Sequence, residues 1–108
     1  MELSDIGSLV NAVPGLQGKV AYRAFPVGKA PSLPFVTYLE RSQEPFAADN
    51  AAYYVSSSVD IELYTEIRDD VTERLLEAAL RDASLIWTKT IDYLDSERCY
   101  MIVYTVSI

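Results

Sequence analysis

In Tyr53-Tyr-Val-Ser-Ser-Ser-Val-Asp-Ile-Glu-Leu-Tyr-Thr-Glu-Ile-Arg-Asp-Asp-Val-Thr-Glu-Arg-Leu-Leu-Glu-Ala-Ala-Leu-Arg81 the apolar residues change their period, and that change decides the fold. Up to Tyr64, Val55, Val59, Ile61 and Leu63 share one face while Tyr54, Ser56, Ser58, Asp60 and Glu62 share the other, as in a half-buried strand. Thr65 then offers an oxygen to the first free amides of a helix. In that helix Ile67, Val71, Leu75, Ala78 and Ala79 form the inward stripe, and Glu66, Asp69, Asp70, Glu73 and Glu77 face away. A strand that runs into an amphipathic helix requires a sheet with the helix laid on one face. The acidic side is expected to be a solvated surface, where Arg74 pairs with Asp70 one turn before it.

Upstream, Ser4 is placed to cap a first helix from Asp5 to about Val13, with Ile6, Leu9, Val10 and Val13 inward. Gly7 weakens this helix and Pro14-Gly15 ends it. Lys19 to Phe25 alternates like a strand. Pro26-Val-Gly-Lys-Ala-Pro-Ser-Leu-Pro34 is barred from helix and ladder by its prolines, which hold it on a stiff, extended path. It reads either as a loop between two strands or as an arm that reaches a neighbouring subunit.

Phe35 to Arg41 is β-branched and aromatic, a second strand. Ser42 to Ala52 interrupts it with a proline, small residues and the turn pair Asp49-Asn50. This segment is long for a hairpin connection, so it is either a bulged, twisted ribbon or a protrusion carrying Phe46. After the central helix, Leu85–Leu94 and Arg98–Ile108 form a hairpin through the polar turn Asp95-Ser-Glu97. Met101 and Val103 make the last strand apolar on both faces, which fits a position inside the sheet or at a subunit contact. The element order is α-β-β-β-α-β-β, a single α+β domain over residues 1–108 with an antiparallel or mixed sheet and helices on one face.

Composition narrows the function. With 108 residues, half of them apolar, the chain has one core and buries roughly 65% of its unfolded surface. Sixteen acidic against nine basic residues give a charge of −7, which argues against tight, salt-sensitive wrapping of nucleic acid but is compatible with a surface past which DNA slides as passing cargo without sticking. No apolar run approaches the ~20 residues of a membrane helix, and no secretory signal pattern opens the chain. A soluble, cytoplasmic chain without a membrane partner is expected.

No histidine is present, and Lys19, Lys29 and Lys89 lack the local spacing that activates a serine nucleophile. The four glycines do not make a phosphate-binding loop, and Cys99 within an apolar strand reads as a buried, inert thiol. Asp92, Asp95 and Glu97 lack the glycine and spacing of a calcium loop and read as a solvated turn. Catalytic residues, metal and cofactor are therefore all expected to be none, and an enzyme is the least expected class. Most of the eight tyrosines read as strand formers and core. Tyr54 and Tyr64, on the polar face of their strand, are interface candidates.

Two segments, Ala21 to Tyr38 and Phe46 to Glu66, resemble a family of small tail proteins of long, non-contractile-tailed bacteriophages and prophages. The likeness lies in the proline-bounded loop Phe25-Pro-Val-Gly-Lys-Ala-Pro-Ser-Leu-Pro34 before a strand, and in the Ala48-Asp-Asn50 turn before a strand ending Glu62-Leu-Tyr-Thr65. It takes in most of the chain, including the closing hairpin, and the element order is similar to that of lambda-type tail terminators. The resemblance implies a tail-completion subunit of the virion neck that forms a ring, expected as a hexamer. Such a ring caps the head-proximal end of the tail tube and offers the head its docking surface.

The partners so implied are further copies of the chain, the major tail tube protein and the head-tail connector. Contact residues are then expected in the two loops, at Phe25, Pro26, Lys29, Pro31, Pro34, Phe46, Asp49 and Asn50, together with Tyr54 and Tyr64. A head-side connector or stopper protein fits the same features. A small acidic regulatory or inhibitor module that binds a host protein is the alternative from a different class.

Overall fold

The structure, a computed structural model, describes the backbone of residues 1–48 and 52–108 and the side chains outside 46–54. Two helices and five strands follow in the order α1 (Leu3–Asn11), β1 (Val20–Tyr22), β2 (Phe35–Ala48), β3 (Ala52–Thr65), α2 (Asp70–Asp82), β4 (Trp87–Leu94) and β5 (Cys99–Ser107). This is the α+β order read from the sequence. The strands lie β1-β2-β3-β5-β4, with β1 parallel to β2 and every other neighbour antiparallel. The sheet is therefore mixed. Parallel neighbours need a crossover, and residues 23–34, the proline-rich segment, supply it.

Both helices cover one face. Val59, Ile61 and Leu63 of β3, Ile102, Tyr104 and Val106 of β5 and Val36 of β2 meet Ile6 and Val10 of α1 and Leu76 and Leu80 of α2 in one core. Burial of each such side chain contributes about 1.5–3 kcal/mol. The alternation in β3 and β5 was sufficient to identify this face.

Helix boundaries depart from the sequence reading in an instructive way. The first helix begins earlier than Asp5, and Ser4 is inside it; the Asp5 carboxylate accepts the Glu2 amide at 2.7 Å and closes that end. Gly7 is more than a weak point, because the Tyr38 hydroxyl lies where its Cβ would be. A side chain there would push Tyr38 off the helix. Thr65 does not cap α2: it ends β3, and its buried hydroxyl has no partner among the described residues. The cap is Asp69, which accepts from the Thr72 amide at 3.1 Å and its hydroxyl at 2.7 Å. These bonds hold the Asp69 carboxyl below the usual range.

The inward stripe of α2 is also not Ile67, Val71 and Leu75, which are 73%, 65% and 37% exposed. Glu73, Leu76 and Leu80 face the sheet instead.

Ser42 to Ala48 are strand and not loop. Strand β2 continues to Ala48 and pairs with β3 out to Ala48↔Ala52, with a bulge between Glu40 and Ser42. Of the two readings, the bulged ribbon is the structure. Pro45 is tolerated because this part of β2 has no second neighbour that needs its amide.

Candidate assembly interface

Three features leave surface of this domain uncovered within one subunit. Strand β5 pairs with β3 only as far as Ser58↔Ser107, with one further bond pair between Ser57 and Ile108. From Ser56 to Ala52, β3 has only β2 beside it among the described residues. The two strands leave the sheet as a ribbon, and the long axis of the molecule reaches 50 Å against 28 and 23 Å across. An isolated two-stranded ribbon is marginal in water, so a partner that covers it adds stability. Phe46 and Tyr54 are paired in its backbone register, while Asp49 and Asn50 lie outside the described residues.

The second feature is the sheet face away from the helices. The crossover folds over one end of it and builds an aromatic row: Phe25 packs edge-on against Phe35 with centroids 5.3 Å apart, and Phe35 lies 5.0 Å from Tyr64. Together with Ala30, Leu33 and Cys99 these rings floor a cleft of about 430 Å³ with Arg23 and Glu97 on its rim. Burial and the Glu62 carboxylate push the Tyr64 hydroxyl up, and burial and Glu97 do the same to the Cys99 thiol. Cys99 is buried, as its strand context indicated.

Thus Phe25 and Tyr64 come together, with Pro31 and Pro34 partly buried beside them and Pro26 and Lys29 exposed on the turn that the Lys29 amide closes onto the Pro26 carbonyl. The rest of this face mixes the half-buried Leu39, Met101 and Val103 with polar pairs. Thr37 donates to Glu62 at 2.9 Å, Thr105 donates to Asp60 at 2.6 Å, and Arg41, the extra residue of the bulge, pairs with Asp60 at 3.1 Å.

The third feature is the outward side of α2. Glu66 and Asp70 are exposed there, as expected, and so are Ile67 and Val71. Glu73 and Glu77 do not belong to that acidic surface. Arg68 grips Glu73 through two bonds of 3.0 Å, Lys89 reaches Glu73 at 2.8 Å and Glu77 at 2.7 Å, and the buried Tyr104 hydroxyl donates to Glu77 at 2.7 Å. Burial opposes the charge of both carboxyls, yet these bonds outweigh it and hold them below the usual range. Burial, reinforced by the bond to Glu77, pushes the Tyr104 hydroxyl well up.

A cluster of perturbed titratable groups is a functional candidate wherever it opens to a cleft. Among the described residues, Glu73, Glu77, Lys89 and Tyr104 line none of the five best-formed clefts, and the network pins α2 to β4 and β5. Periodicity misses it, because a helix read alone assigns its glutamates to water. Among the described residues, no three His, Cys, Asp or Glu side chains are grouped to hold a metal ion, and no helix is long and apolar enough to cross a membrane.

No family model matches the chain, and no curated protein matches it in sequence. In fold it is similar to a chain from the virion of a native gene transfer agent particle, at 15% identity and a TM-score of 0.54, over 94% of this chain and 81% of that one. What the two chains share at that identity is the fold, along nearly the whole of this domain.

Proposed function

We propose that this chain is a structural virion protein, a tail-completion or tail-terminator subunit that assembles into a ring, expected as a hexamer. The ring caps the tail tube and gives the head-tail connector its docking surface. The observation that carries the reading is the fold shared, over 94% of the chain, with a component of a gene transfer agent virion. The family resemblance of the proline crossover and the Ala48-Asp-Asn50 turn points the same way. The ribbon, the aromatic cleft and the outward side of α2 supply surfaces that a neighbour or the tube would cover. The acidic balance suits a channel past which DNA slides without sticking. The role is architectural, with no turnover, cofactor or metal.

The test is electron microscopy of particles made from a phage or prophage genome with and without this gene. Loss of the gene is expected to leave filled heads beside tubes of uncontrolled length. Tails of normal length beside unattached heads would move the chain to the head side of the joint, and normal virions would overturn the reading.

A further inference from the structure

The two edges of the sheet differ in charge as well as in position. Between Ile6 and Leu39 there is no acidic residue, and Lys19 and Lys29 flank or follow β1, the strand at one edge, while Arg23 shares the aromatic cleft with Glu97. At the other edge β4 presents eight residues whose outer side has no strand partner among the described residues. Asp92 lies on that strand and Asp95 on its turn, outweighing Arg98, while Lys89 is already committed to Glu73 and Glu77.

Each edge also exposes apolar groups inside this charge: Tyr22 and Val27 on the basic side, Ile91 and Tyr93 on the acidic side. An apolar centre with a polar rim is the anatomy of a protein interface. A long, unprotected strand edge is a surface that natural proteins cover.

We propose that copies of this chain associate head to tail, the acidic β4 edge of one copy seated on the basic β1 edge and crossover of the next. The occupant of each edge is thus a second copy, chosen by charge complementarity. Because the two surfaces differ, the contact is heterologous and repeats around a ring until the rotation closes. The inference rests on the ring-forming reading and names its surfaces. It also has a physical signature: copies that each carry −7 repel, so salt would strengthen a contact without charge pairing, whereas a charge-paired contact weakens as salt rises.

The experiment uses the purified full chain, its association followed by sedimentation equilibrium across a salt series. Two variants reverse the edges separately, K19E/K29E and D92K/D95K, and a third carries all four changes. Each single reversal is expected to weaken self-association roughly tenfold or more, while the four-fold variant, and an equimolar mixture of the two single reversals in which every contact again joins unlike charges, are expected to recover most of it. The changed side chains are at the surface, and a thermal melt of each variant reports folding separately.

Single-cysteine variants, K29C and D95C in a C99S background, give a second readout: mixed, they are expected to cross-link to each other far more than either does to itself. Indifference of association to the reversals, strengthening with salt, random cross-linking, or no self-association at the highest soluble concentration would each overturn the proposal. Association is read without particles, so this outcome is separable from that of the gene-deletion test.

Discussion

Strands β2 and β3 pass through two environments, and the same alternation means different things in each. Inside the body, Val59, Ile61 and Leu63 are fully buried beneath the helices. In the ribbon, Val55 continues the same face and is 53% exposed. Period two thus specifies a strand and its faces, whereas burial requires a covering layer, and within one subunit the ribbon has none. The body is closed within one subunit, whereas the ribbon is open at Val55.

Substitutions along one face should grade this contrast. Leu63→Ala opens a cavity in the body and is expected to cost about 2–5 kcal/mol in denaturant unfolding. A loss as small as that of a surface change would mean that the body is loosely packed. Glu73→Ala leaves Arg68 and Lys89 facing a buried gap and is expected to cost about 2–4 kcal/mol, less than a fully enclosed pair because both cations keep access to water.

The same network sets the acid limb. The folded-state values of Glu73 and Glu77 lie below their unfolded values, so their contribution is fully present above the unfolded carboxylate range and fades as pH falls through the depressed folded values. Melting temperature should drop with acidification in the native chain and less steeply in Glu73→Gln. Gly7→Ala, which improves helix propensity, should nonetheless cost about 1–3 kcal/mol because Tyr38 must move. A stabilised variant would show that Tyr38 yields freely. Smallest of the series, Val55→Ala should change stability by less than about 1 kcal/mol, and a core-sized loss would erase the distinction between ribbon and body.

Much of the body was legible in the sequence because its signals are local. The alternation of β3 and β5, the hairpin turn at Asp95 and the proline break each report on a few adjacent residues. The inward face of α2 was not legible, since two overlapping stripes satisfy helical spacing. The one through Val71 and Leu75 is wholly apolar; the one through Leu76 and Leu80 contains Glu73. Pattern alone selects the first. The structure uses the second, because Lys89 arrives from β4 to neutralise Glu73, a partner no helical period can reveal.

The ribbon was half legible: its turn residues argued for a break, while pairing with β3 carries the strand through Pro45. Of the expected contact residues, Phe25 and Tyr64 are drawn into one aromatic cleft by the crossover, a meeting of distant segments that neither segment announces.

The most direct test joins the two regions in one measurement. A chain whose ribbon is shortened symmetrically within Gln43–Ser56, with the turn rebuilt, would be supplied in place of the native chain, and the particles would be examined by electron microscopy after its melt is shown to match that of the native body. Filled heads separate from tubes of uncontrolled length are expected, because a folded subunit without its ribbon cannot complete the joint. Joined virions with tails of normal length would contradict the assignment of the ribbon to assembly.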